Sequence, residues 1–186
     1  MTGIQIYTQT LNELRSEFED FKLQRKSTSR FMQLLSFLLT VITFGKSTDF
    51  MTSLVTTVGN TIYIPTDWDA RDTLQRTCIL RHERVHMRQR RRLGSFLFTL
   101  KYLMWPLPII FAIGRRNLER EAYEESMRAS LFFYGMSALE NLEYRADMVG
   151  HFASPNYFWM WPFSKSNESW YDDVIEKLIL EAMLRD

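Results

Sequence analysis

The sequence has one cysteine, Cys78, in 186 residues, so no disulfide can form within the chain and the stapled frameworks of small secreted proteins are excluded. Charge of one sign is not in excess. Lys and Arg number 23 against 22 Asp and Glu, a net charge of +1, which removes any bulk-charge argument for a nucleic-acid or polyanion binder. Long apolar runs are missing too. The stretch Phe31 to Phe44 falls short of the ~20 residues that a membrane-spanning helix needs, and Ser95 to Gly114 is interrupted by Lys101, Pro106 and Pro108. The first residues turn polar and acidic where a secretory signal would be basic and then apolar, so a cytoplasmic protein is expected. No internal repeat or low-complexity segment is present.

What is present is enough to fold. A composition of 46% hydrophobic, 15% aromatic and 24% charged residues can fill a core, and the length suits one domain. Peripheral membrane contact stays open, because Trp159, Trp161 and Phe163 could sit at a lipid interface as well as in an aromatic core.

Leu11, Leu14, Phe18 and Phe21 recur at helical spacing and predict an amphipathic helix ending in the basic patch Lys22, Arg25, Lys26. A second helix is expected from about Arg30 to Phe44, apolar on most sides and therefore buried, with Gly45 as its stop. Ser53 to Val58, then Gly59 and Asn60, then Thr61 to Ile64 read as a tight hairpin, the one clear β signal. Asp69 or Asp72 can cap the next helix, which stops at Gly94. Phe96 to Ile113 predicts helical pieces broken at Pro106 and Pro108. Asn117 then caps a helix through Tyr123 toward Phe133, and a polar loop at Ser164 to Glu168 precedes an amphipathic C-terminal helix.

The chemistry concentrates in HERVH, residues 82 to 86. Histidines at i and i+4 of a helix present both imidazoles on one face about 6 Å apart, a spacing that can clamp one zinc ion. Glu83, beside the first histidine rather than on its face, is placed to act as general base on the water that such a zinc would hold.

With a hairpin before it and a carboxylate-bearing helix after it, this motif resembles the zincin metallopeptidases over about Leu54 to Ala129. The metzincin branch would need Gly at position 89 and His at 92; Gln89 and Arg92 exclude it. The gluzincin branch takes a third ligand from a downstream glutamate. Glu119, which opens EREAY, is preferred, although Tyr123 stands where the family often has an aspartate that orients a zinc-bound imidazole. Glu121, Glu143 (whose stretch to Asp147 reads ExxAD) and His151 remain alternatives. The resemblance implies an α+β fold, mostly helical with a short antiparallel sheet, in a single zincin-like domain with its core at about residues 52–135. Helices at 9–44 and a segment at 150–186 would pack on that core. It further implies a zinc-dependent hydrolase of peptide bonds with Zn2+ on His82, His86 and Glu119. Thr61 to Ile64 would be the edge strand that binds extended peptide or protein substrate, and Tyr123, Tyr134 or His151 would be the oxyanion donor.

Two further features have plain readings. Cys78 shares the face of His82 but reads as a small buried residue. The run from Arg81 to Arg92 could bind an anionic partner in a non-enzymatic module, or could be neutralised within the fold by acids such as the four glutamates between Glu119 and Glu125.

Overall fold

A computed structural model describes every residue except 43, 46–48, 104–109, 154–162 and 185–186, with the backbone alone at 42, 102–103 and 110–112. The fold is α+β and mostly helical, with one three-stranded mixed sheet. The chain divides into two compact units, Met1–Phe98 and Thr99–Asp186.

In the first unit, α1 (Gly3–Glu17) begins at a capping box: Thr2 Oγ1 accepts from Gln5 N at 3.3 Å, and Gln5 Oε1 accepts from Thr2 N at 2.8 Å. The helix ends sooner than its apolar spacing predicts. Asp20 takes a left-handed turn (φ 58°), and the basic patch becomes strand β1 (Lys22–Arg25). α2 (Arg30–Ile42) follows. The expected hairpin forms from β2 (Thr56–Val58) and β3 (Thr61–Ile64), with Gly59 supplying φ 65° at the turn. The sheet order is β1-β3-β2, with β1 parallel to β3 from Lys22 opposite Thr61 and β2 antiparallel to it. α3 (Thr73–Leu93) is capped by Asp72, which accepts from Leu74 N and Gln75 N, and ends at Gly94 with φ 78°.

The core of this unit gathers Leu14 and Phe18 from α1 and its end, Ile62 and Ile64 from β3, Trp68, and Leu80 and Met87 from α3. Each such side chain contributes about 1.5–3 kcal/mol by leaving water, which fixes α3 against α1 and the sheet. α2 departs from expectation. Among its described side chains only Met32 is buried, while Phe31, Leu34, Phe37, Leu38 and Val41 are exposed. An apolar composition reports what a helix could bury, not what covers it.

α4 (Ser95–Leu103) runs across the division between the units, and the expected breaks at Pro106 and Pro108 lie outside the described residues. The second unit contains α5 (Ile110–Tyr134), α6 (Met136–Glu140), α7 (Leu142–Ala153) and α8 (Ser164–Met183). Asn117 lies inside α5 rather than capping it, because Ile110 onward already continues the helix. The segment expected as a polar loop, Ser164 to Glu168, is the first turn of α8. Tyr123, Met127, Leu139, Met148, Phe152, Tyr171, Val174 and Leu178 form the second core, where Tyr171 Oη donates to Leu139 O at 2.8 Å. Of the interfacial aromatics, Trp159 and Trp161 lie outside the described residues, and Phe163 is exposed.

Candidate metal centre

α3 is the most consequential helix of the first unit because it buries polar groups: Thr77, Glu83, His86 and Gln89 lie on its inner side. His82 and His86 stand one turn apart with ring centroids at 4.8 Å and planes at 78°, and their Nε2 atoms are 3.1 Å from one another. His86 Nδ1 meets Gln89 Oε1 at 2.9 Å. An amide oxygen only accepts, so Nδ1 holds the proton and Nε2 keeps the lone pair that a metal requires. Two nitrogens bound tetrahedrally at ~2.0–2.1 Å would stand about 3.3 Å apart; the pair fits that demand.

Glu119, the sequence-predicted carboxylate, stands on α5. Glu119 is 1% exposed, and the ligand atoms of His82, His86 and Glu119 all lie within 4.8 Å of one another. These three residues could hold a metal ion, and they are the one such group among the described residues. Glu121 and Glu143 are exposed, and neither they nor His151 join such a group among the described residues.

Glu83 is buried, and its Oε2 accepts from Thr57 Oγ1 of β2 at 2.7 Å. A second group near it was not foreseen. Lys26, in the short 3-10 turn after β1, is 0% exposed, donates from Nζ to Phe50 O at 2.6 Å and lies 3.7 Å from the centre of the Phe50 ring. Burial pushes its ammonium down to about 7, opposed by the negative charge of Glu83.

The expected substrate strand needs correction. Thr61 to Ile64 is β3, the central strand, with both of its edges paired; the outer strands are β1 and β2. β2 is the edge that carries Thr57 and so adjoins Glu83. Among the oxyanion candidates, Tyr123 is buried in the second core and its ring stacks on His151 at 5.8 Å. Tyr134 sits at the far end of α5, about 22 Å along the axis from Glu119 at 1.5 Å per residue, too far to share its chemistry. His151 Nδ1 faces Asp147 Oδ2 at 3.8 Å on α7.

The arginines of α3 are largely absorbed within the first unit. Arg84 reaches Glu17 at 2.6 Å and Glu13 at 2.7 Å, Arg88 reaches Glu17 at 2.6 Å, and Arg91 reaches it at 3.3 Å. The hydrogen bond from Arg88, with that from Arg84, holds the Glu17 carboxyl down to about 2. The neutralising acids are thus on α1, while Glu124 and Glu125 pair with Arg128 of their own helix. Arg90 donates to Asn60 Oδ1 at 2.5 Å and to Ser95 Oγ at 3.1 Å. Cys78 is buried and unbridged, as a small core residue would be.

Of the supporting residues, Gln89 had a signal in the sequence, since position i+3 from His86 shares its helix face. Thr57 and Lys26 had none, because the chain separations that bring them toward Glu83 leave no local pattern. Comparisons with protein families, with characterised proteins and with solved structures find no match to this chain.

Proposed function

We propose that this chain is a zinc-dependent metallopeptidase, in which His82, His86 and Glu119 hold the metal and Glu83 is the general base. One observation carries the reading: two histidines and a buried glutamate converge beside a second glutamate that a hydroxyl holds in place. The nitrogen and carboxylate donor set suits zinc. When bound, zinc would lower the pKa of water toward ~7 and polarise a carbonyl group.

The protein's own contribution is proton handling and positioning. With Oε2 of Glu83 occupied by the Thr57 hydroxyl, Oε1 is the atom that takes a proton from the attacking water and returns it to the leaving amine nitrogen. Gln89 keeps the His86 ring in one tautomer and orientation. The outer edge of β2 offers backbone groups to an extended peptide, which would bring a scissile bond alongside Glu83.

Metal analysis of the purified chain and hydrolysis of a general protein substrate test the reading together. The parent should carry stoichiometric zinc that His82→Ala and Glu119→Ala lose. Glu83→Gln should keep the zinc and lower hydrolysis by about 10²–10⁴-fold. No metal after zinc is supplied, or a Glu83→Gln variant as fast as the parent, would defeat the proposal.

A further inference from the structure

α2 is a helix whose exposed side is almost entirely hydrocarbon. Phe31, Leu34, Phe37, Leu38 and Val41 lie within an arc of about 120° at 100° per residue, and Phe44 just beyond its end is 94% exposed. Beside that arc, Gln33 Nε2 donates to Ser27 O at 2.8 Å and Thr40 Oγ1 to Ser36 O at 2.9 Å, so these two donors would meet lipid with a partner already made. Thirteen residues rise about 20 Å, less than the ~30 Å hydrocarbon layer of a bilayer, and among the described residues no helix is long and apolar enough to cross a membrane.

Charge selects the occupant. From Phe21 to Thr48 the sequence contains five Lys or Arg residues and no Asp or Glu. Of these, Lys26 is buried, Lys46 lies outside the described residues and Arg25 is paired with Asp69; Lys22 and Arg30 are exposed, and Arg30 stands at the first position of α2 with no ion pair among the described residues. A second copy seated in parallel on this face would bring Arg30 against Arg30. An anionic lipid surface instead meets cations at the start of the helix and hydrocarbon along it.

We propose that α2 is a membrane-surface anchor that docks the first unit on bilayers containing anionic lipid, with Arg30 among the headgroups and Leu34, Phe37, Val41 and Phe44 at the acyl boundary. The inference is independent of the peptidase reading.

Flotation of the purified chain with vesicles of phosphatidylcholine, and of phosphatidylcholine mixed with an equal part of phosphatidylglycerol, tests it. The parent should float with the mixed vesicles, and far less with the neutral ones. Leu34→Ser combined with Phe37→Ser should lower partitioning at least tenfold, and Arg30→Glu several-fold. All three positions are exposed, so an unchanged melting temperature would verify that these variants fold. A parent that floats with neither vesicle overturns the proposal, as does equal floating with both, or a double variant that binds like the parent. A lipid-indifferent dimer in sedimentation that the double variant dissociates would give the face to a second copy instead.

Discussion

α2 and α3 of the first unit violate the ordinary sorting of side chains from opposite directions. α2 carries one charge, on Arg30, and leaves Phe31, Leu34, Phe37, Leu38 and Val41 in water; α3 is rich in arginine and takes Thr77, Glu83, His86 and Gln89 inside. A contiguous exposed apolar surface invites association, and a buried polar group costs free energy unless it is hydrogen-bonded. α3 meets that cost with Thr57 and Gln89. α2 has no counterpart among the described residues, which is why its face reads as a surface for something else. Stability alone would exchange the two compositions; the molecule keeps both.

The sharpest way to break the comparison is on α2 itself, at the one buried residue among its described side chains. Met32 is 0% exposed, so Met32→Ala should lower unfolding free energy by about 2–5 kcal/mol, read from urea denaturation. A small loss would mean that α2 is not seated by Met32 at all.

Lys26 sharpens the other side, as a cation buried near Glu83. Its folded-state value of about 7 lies below the ~10.4 of an unfolded lysine, so between these limits the unfolded chain binds more protons and stability rises with pH. Below pH 7 both states are protonated and the full cost of burial is present. Lys26→Met should therefore raise stability at pH 6 by a few kcal/mol and flatten the climb between pH 7 and 10. A parent whose melting temperature does not rise over that window would show that Lys26 is not titrating as a buried group.

Thr57 tests whether burial of Glu83 serves chemistry. If the proposed peptidase reading holds, Thr57→Val should lower kcat about tenfold, equivalent to ~1.4 kcal/mol, with KM and zinc content unchanged, and Thr57→Ser should restore most of the rate. Equal rates in all three would leave the hydrogen bond a packing detail. The smallest effect is expected where intuition places a large one. Phe37, 64% exposed, should change stability by no more than about 0.5 kcal/mol when replaced by Ala, in contrast to Met32 five residues before it.

Much of this was legible where the determinant is local. The spacing of His82 and His86, the Asp72 cap, the Gly94 stop and the turn at Gly59 and Asn60 each depend on residues within a few positions, and each appears as read. Glu119 was legible as a candidate only because EREAY resembles a family pattern; that it, rather than Glu121, Glu143 or His151, groups with the two histidines is something no sequence spacing reports. β1 was illegible for a different reason. Lys22, Leu23, Gln24 and Arg25 have no β-branched residue, and their extended state comes from pairing with β3, far along the chain. The assignment of an edge strand failed with it, since a third strand on the far side of β3 turns that strand from edge to centre. The pairing of Arg84 and Arg88 with Glu17 is likewise a meeting of distant residues.

The parallel pairing of β1 with β3 has a consequence for the order in which the first unit assembles. β2 and β3 can close as a hairpin across two residues, whereas β1 can join only after the whole segment containing α2 has been spanned, at a far larger loop-closure entropy. α1 is tied to that late strand, and Leu14 and Phe18 complete the core with it. Leu14→Ala should accordingly quicken unfolding and leave the folding rate nearly unchanged, while Ile62→Val should slow folding. The part of the unit that leaves the ribosome first is then the part fixed last, and until it docks, Arg84, Arg88 and Arg91 wait without Glu13 and Glu17.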